Sequence, residues 1–425
     1  MNKTPTPTLR EELPVWAKIG FLSFGGPAAQ IALMHREVVE LRGWLSEKSY
    51  LAALSFCMLL PGPEAMQLAT YCGWKTNGVK GGLLAGGLFV LPGAILIAAL
   101  ALLYGAYGQL PFTAALFLGI KAAVLVIVIE ALLKVAKRAL VSAFHQWLAL
   151  AAFIALFIFG APYPIVIMVA ALAGWWHGRN DEAEPSVDVS VATSTTIRIA
   201  LTWLSIWLVP VALVSFFAPA VFGDLARFFS ILATVTFGGA YAVLAYMTQE
   251  AVSTFGWLTT AEMVDGLGLA ETTPGPLILV TEFVGTLAAE RAAPAGSEIS
   301  WALWGAAITL WATFIPCFAW IFVGAPYVEW LSSRTALRAA LSGVTAAVVG
   351  VIGSLSFWFA THVFFSEVSP AQGWLRVPRP ALDTFDWRVL VIAVIAALML
   401  LKLHRSVLLV LAVCAALGVT LSSVT

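Results

Sequence analysis

The chain has 425 residues, 61% of them hydrophobic and 11% charged, and its 23 basic and 23 acidic side chains cancel. Soluble domains carry about 45–50% apolar and about 25% charged residues, so a soluble fold is excluded. The lack of any basic block excludes a nucleic-acid binder. With 17 Trp and 26 Phe, the composition predicts an all-α polytopic membrane protein.

Residues 1–14 are polar and lack an apolar h-region, so no cleavable signal peptide is expected and the N-terminus is expected in the cytoplasm. Thirteen apolar segments follow, near 15–34, 50–74, 82–107, 112–133, 147–160, 163–177, 197–222, 228–247, 263–289, 301–323, 339–365, 388–401 and 406–424. The one long polar stretch with linker character is 179–196, which is acidic and rich in Ser, Thr and Val. It separates a repeat at 1–178 from a connecting span at 197–224 and a second repeat at 225–425.

The duplication is explicit. Phe24–Pro63 aligns on Phe237–Pro276 without a gap at an offset of 213, with 15 of 40 positions identical. Phe24-Gly25-Gly26 falls on Phe237-Gly238-Gly239, Glu37 on Glu250, Gly43-Trp44-Leu45 on Gly256-Trp257-Leu258, and Pro61-Gly62-Pro63 on Pro274-Gly275-Pro276. Further on, an offset of 224 pairs Pro92 with Pro316 and Gly119 with Gly343.

Loop charges set the orientation. Loop 35–49 carries Arg36, Arg42 and Lys48, whereas 248–262 carries no Lys or Arg; loop 324–338 carries Arg334 and Arg338, whereas 108–111 carries none. The bias flips between halves, which predicts inverted topology. Lys3, Arg10, Lys18, the loop 35–49, Lys75 and Lys80 all favour the inside. Segments 15–34 and 50–74 are therefore expected to enter and return as hairpins, leaving about nine full spans. The basic loop 366–388 and Arg291 fit this scheme less well, since it places both outside.

The hairpins would turn at Gly25-Gly26-Pro27 and Pro61-Gly62-Pro63. Proline removes a donor and clashes with the preceding turn, and glycine adds backbone freedom, so these motifs stop a helix. In hydrocarbon, such breaks survive only within protein or beside a wet cavity. Half-helices that start there present free N–H groups, an anion site with little formal charge. Duplicated, inverted broken helices are the pattern of secondary transporters. The candidate substrate residues are Gly25, Gly26, Gln30, Pro61, Gly62, Pro63, Gln67, Gly238, Gly239, Thr273, Pro274, Gly275 and Pro276.

Few charges lie within the apolar runs, where charge is costly. Lys121 is either an anion contact or half of an internal ion pair. Glu130 lies near Lys134, Lys137 and Arg138 and reads as interfacial pairing. Glu64 and Glu282 are candidate proton carriers or structural carboxylates. Arg36, Glu37 and Glu250, past the first hairpin of each half, either clamp a loop or gate access. Cys57, Cys72, Cys317 and Cys414 share no metal or redox spacing, and the five histidines share no ligand spacing. No catalytic motif is present; neither an enzyme, a cofactor nor a metal is expected.

The motifs FGGPAAQ at 24–30, GWLS at 43–46, LLPGPEAMQLATYCGW at 59–74 and LPG at 91–93 resemble the chromate ion transporter family. FGGAYAVL at 237–244, GWLT at 256–259 and TPGPLILVTEFVG at 273–285 resemble its C-terminal domain. The resemblance implies a long-form, two-domain exporter of chromate driven by the membrane potential or a proton gradient. Its partners would be chromate or the similarly shaped sulfate, the lipid bilayer and, in a homodimer, a second copy. The second half departs from the first at Ala240, Val243 and Leu277, which replace Pro27, Gln30 and Glu64, so unequal contributions to binding are expected. A carrier or channel for another oxyanion is the alternative.

Overall fold

A computed structural model describes residues 7–178, 193–237, 240–328, 334–369 and 377–423. The described residues are almost entirely helical. In the first half, α1 (Leu9–Leu22), α2 (Gly26–His35) and α3 (Glu47–Cys57) precede α4 (Glu64–Tyr107), α5 (Pro111–Ala139), α6 (Ala143–Phe157) and α7 (Tyr163–Gly178). After α8 (Thr193–Phe217) come α9 (Ala220–Val235), α10 (Ala240–Gln249), α11 (Thr260–Thr272), α12 (Val280–Arg291) and α13 (Glu298–Gly324). The chain closes with α14 (Thr335–Phe364), a two-residue hairpin of β1 (Val368–Ser369) and β2 (Arg379–Pro380), α15 (Trp387–Ala397) and α16 (Val407–Ser422).

Five of these stretches are long and apolar enough to cross a bilayer: Glu64–Tyr107, Pro111–Ala139, Thr193–Phe217, Glu298–Tyr327 and Thr335–Phe364. The other four expected spans form shorter apolar helices, of which α15 has 11 residues and α7 and α16 have 16. At about 1.5 Å per residue, 16 residues rise about 24 Å, short of a hydrocarbon core of about 30 Å. The 44-residue α4 is not one rod. Asn77 and Gly78 leave helical torsions, Gly78 with φ of +60°, and a Cβ on Gly73 would collide with the backbone of Gly81. The chain turns back here, between Lys75 and Lys80, where the charges call for an aqueous loop.

The helices group into two compact units that draw on both sequence repeats. The first comprises Met1–Leu102, Asn180–Ala240 and Thr273–Arg338; the second comprises Leu103–Arg179, Tyr241–Thr272 and Ala339–Thr425. In the first unit α13 packs on α8, α9 and α12. Gly285 and Gly305 meet backbone to backbone, the Trp203 and Phe322 rings pack at a tilt with centroids 4.8 Å apart, and Trp207 Nε1 donates to Ser230 Oγ at 3.2 Å. Close approach through small residues is the usual way to hold helices together where lipid removes the hydrophobic drive.

In the second unit, Gly119 of α5 packs on Cys414 and Gly418 of α16, and Gly343 of α14 packs on Gly174 of α7. Gly119 and Gly343 are repeat equivalents. Each half therefore docks its second span on the last span of the other half. The same unit holds a partly buried ion pair: Lys121 Nζ lies 3.0 Å from Asp265 Oδ1, and Tyr104 OH donates to Asp265 Oδ2 at 2.6 Å.

Contacts within each unit join segments that the charge scheme places on one side. In the first unit, Asn77 Nδ2 donates to Pro7 O at 2.8 Å and Thr76 donates to Glu12; Thr196 and Tyr327 hydroxyls meet at 2.6 Å. In the second, His145 Nε2 and Ser342 Oγ lie 2.9 Å apart, and Phe144 stacks on His177 at 4.1 Å.

The Lys121–Asp265 pair gives a direct stability test. Lys121→Met strands a carboxylate that is 8% exposed. Because the lysine is partly solvated, the loss is set at about 2–3 kcal/mol, below that of a fully buried pair. Thermal unfolding in detergent is expected to show that loss, and the double variant Lys121→Met, Asp265→Asn to recover most of it. Equal instability of the single and double variants would assign the loss to packing.

Candidate functional site

Four helix interruptions lie where the repeated motifs place them. The first separates α1 from α2: Gly25 and Gly26 take φ of +85° and +77°, torsions that side chains rarely adopt. Pro27 then sits in the first turn of α2, where no N–H is lost. The second runs from Met58 to Pro63, with Gly62 at φ of +123°, and α4 begins at Glu64. The third follows α9 through Thr236 and Phe237; Gly238 and Gly239 lie outside the described residues. The fourth spans Thr273–Pro276, with Gly275 at φ of +94°, and continues through a short 3-10 turn into α12.

The interruptions of the two halves bond to each other, all within the first unit. Gly62 N–H donates to Thr236 O at 2.7 Å, and Gly275 N–H donates to Ser23 O at 3.0 Å. Adding 213 to Gly62 gives Gly275, and adding it to Ser23 gives Thr236, so exchanging the repeats converts one bond into the other. The hydroxyls follow suit: Ser23 Oγ donates to Ile19 O and Thr236 Oγ1 to Leu232 O, both at 2.5 Å. A Cβ on Gly62 would meet Gln67 and Cys317, whereas one on Gly275 would approach Phe89, Gly93 and Leu279. Gly93 and Cys317 are themselves related by the offset of 224. The carbonyls that end α1 and α9 are thus capped by glycine amides of the opposite half. The Gly62 and Gly275 amides are spent in this way. The donors left for a ligand are those of first helical turns, such as Ala65 and Met66 in α4.

Side chains make the site unequal. Gln30 Nε2 donates to Gly275 O at 2.7 Å and to Ser23 O at 3.1 Å, tying the first interruption to the fourth. Its counterpart Val243 has no such hydrogen. Gln67 Nε2 donates to Pro61 O at 2.7 Å, and its buried Oε1 has no hydrogen-bond partner among the described residues. Pro61 and Glu64 are half-buried, whereas Thr273, Pro274, Gly275 and Pro276 are buried. Glu64 places a carboxylate in the first turn of α4, where the helix dipole favours it. Glu282, in the first turn of α12, is 1% exposed, and its Oε2 has no hydrogen-bond partner among the described residues.

The gating candidates resolve differently in the two halves. Arg36 opens a π-helical turn, Arg36–Glu40, and Glu250 opens its counterpart, Glu250–Thr254. Glu37 is 2% exposed and receives Lys18 Nζ at 2.7 Å and Arg42 Nη1 at 2.5 Å. Burial opposes its charge, but the two cations outweigh burial and hold the carboxyl below its ordinary range. This clamps the end of α2 to α1. The positions matching Lys18 and Arg42 are Ile231 and Phe255, so the clamp has no copy around Glu250.

Lys121 belongs to the second unit and pairs with Asp265 there, the internal-pair alternative. Glu130 pairs with Lys134 at 2.6 Å, as its setting predicts. Sequence reasoning missed Asp265 and Glu271. Tyr241 OH donates to the buried Glu271 Oε1 at 2.7 Å. The signal was available: Asp265, Glu271 and Glu282 all fall within the run 263–289, over Ala52, Met58 and Ala69 of the first half. Three carboxylates in one apolar run are costly unless partnered or used.

Comparison with known proteins bears on what this geometry serves. The profile of the chromate transporter family matches residues 13–175 and 223–419, which covers both repeats. A chromate transport protein of Pseudomonas aeruginosa is 33% identical over 349 residues, 79% of this chain and 77% of that protein. A chromate transport protein of Cupriavidus metallidurans is 27% identical over 359 residues, 83% of this chain and 82% of that protein. A probable chromate transport protein of Synechococcus elongatus is 28% identical over 362 residues, 82% of this chain and 84% of that protein. No solved structure matches. The chain is a multi-pass membrane protein, and it belongs to the chromate transporter family, a family of transporters rather than enzymes.

Proposed function

We propose that the protein is a secondary transporter that exports chromate across the inner membrane, with a cytoplasmic N-terminus and two repeats of inverted topology. Family membership and the chromate transport proteins among its relatives support chromate as the substrate. The observation that carries the site assignment is the reciprocal pair of bonds, Gly62 to Thr236 and Gly275 to Ser23. They draw interruptions of both halves together, which supports a shared site at the helix starts beside them. Chromate is a divalent tetrahedral oxyanion, and N–H groups at helix starts suit it without a resident cation. Gly25 and Gly26, whose repeat equivalents are Gly238 and Gly239, supply the bend of the first interruption; Gln30 ties that bend to the fourth interruption, and Gln67 braces the second at Pro61. Two arrangements of such reciprocal contacts, one open to each side, would give alternating access. Coupling runs through a carboxylate that gains and loses a proton, with Glu282 the first choice and Glu64, half-buried beside the helix start, the second.

The reading is tested by radiolabelled chromate flux in everted vesicles, with sulfate as competitor. Uptake that collapses with the imposed gradient supports a coupled carrier. Uptake that follows only the anion gradient overturns the coupling, and sulfate uptake in preference to chromate overturns the substrate. Gly62→Leu and Gly275→Leu force a side chain into left-handed torsions beside packed neighbours, which costs about 1–3 kcal/mol locally. Both variants are expected to insert and to lose transport; normal flux in either would remove the interruptions from the site. Glu282→Gln is expected to retain chromate exchange at equal pH and to lose flux driven by a proton gradient. Retained proton-driven flux would transfer the role to Glu64.

A further inference from the structure

The second unit contains a cavity of about 580 Å³ that the site above does not use. It lies at the end of α6 marked by Phe157 and Gly160, the far end from His145. Its walls come from α6, α7, α10 and α14 and from three connections, at Gly160, at Val252 and Ser253, and at Val368, Ser369 and Pro378. The charge scheme assigns all three to the outside. The polar wall is formed by Tyr246, Thr248, Gln249, Ser253, Ser354 and His362. Among the described residues that line it there is no Asp, Glu, Lys or Arg. Thr248 is 3% exposed, and its hydroxyl has no hydrogen-bond partner among the described residues. A buried donor in a polar cavity calls for an acceptor from water or a ligand.

We propose that this cavity is a second, weak oxyanion site: a vestibule in which a tetrahedral dianion pauses with its hydration shell on the outer side. The proposal rests on the transport reading and adds a site to it. Four features carry it. The described lining residues offer hydroxyl and amide donors and no carboxylate, so they attract an anion without repelling it and offer a cation no counter-charge. At about 30 Å³ per liquid water the volume holds on the order of twenty waters, enough for an anion that keeps its shell. No lysine or arginine stands among the described lining residues, which keeps binding weak, as release requires. One wall is the loop that follows α10 and carries the gating candidate Glu250, so occupancy and loop position are coupled.

The test uses the full-length protein in lipid vesicles with Ser253→Cys or Ser354→Cys as the reporter. The native cysteines Cys57, Cys72, Cys317 and Cys414 are buried, so a membrane-impermeant methanethiosulfonate reads the introduced thiol. Sulfate is the probe, because it has the shape and charge of chromate and does not oxidise thiols. Replacing chloride by sulfate at constant ionic strength is expected to slow labelling several-fold, and adding Thr248→Val to abolish most of that protection. Equal rates in the two salts, or a thiol that does not label, overturn the vestibule. Chromate flux in the same vesicles separates the two readings: flux without protection removes the vestibule and leaves the carrier, whereas protection without flux keeps the anion site and removes the carrier.

Discussion

A backbone interrupted inside hydrocarbon must find partners for every polar group it frees, and this requirement shapes the first unit. An unsatisfied N–H or C=O in lipid costs several kcal/mol. The ends of α1 and α9 release carbonyls at Ser23 and Thr236, and the amides that cap them come from Gly275 and Gly62 of the other half. Neither half could bury its own interruptions alone. Duplication therefore satisfies the interrupted backbone, and the proposed site lies where the interruptions of both copies meet. Glycine is required at Gly62 by a left-handed torsion and by the crowding of Gln67 and Cys317 on any Cβ, and at Gly275 by its left-handed torsion.

Symmetry of the backbone contrasts with asymmetry of the side chains. The interruptions, the hydroxyl back-bonds at Ser23 and Thr236 and the small-residue crossings at Gly119 and Gly343 all obey the repeat. Gln30, Lys121 and the Glu37 clamp occur only in the first half; Asp265, Glu271 and Glu282 occur only in the second. A transporter that alternates between two mirror arrangements of one backbone would cycle without direction. Under the proposed function, differences in charge and donors between the copies would let a proton or a potential favour one arrangement. Clamping α2 to α1 through Lys18–Glu37–Arg42 while leaving the Glu250 loop without that clamp is such a difference.

Much of the architecture was legible because proline and glycine act locally. Pro-Gly-Pro and Gly-Gly stop a helix wherever they occur, so each described interruption falls where the motifs put it. The return of the chain at Asn77–Gly78 followed from Lys75 and Lys80, since basic residues anchor a loop in water. What resisted reading was long-range. Lys121 could be an anion contact or a pair member, and its partner Asp265 lies in the other repeat, beyond what spacing can reveal. Asp265 and Glu271 escaped notice because hydropathy averages them into an apolar run. The exchange of spans between repeats, α5 on α16 and α14 on α7, also left no local mark; it shows only in which glycines meet.

The central claim is that interruptions from both halves converge on one oxyanion. An electron cryo-microscopy map of the protein in a lipid disc with chromate measures this most directly. The account predicts broken helices at Pro61–Pro63 and Pro274–Pro276, held by the Gly62–Thr236 and Gly275–Ser23 bonds, with anion density within hydrogen-bond reach of the helix start at Ala65 and Met66. Continuous helices through those prolines, or chromate density remote from both interruptions, would contradict it.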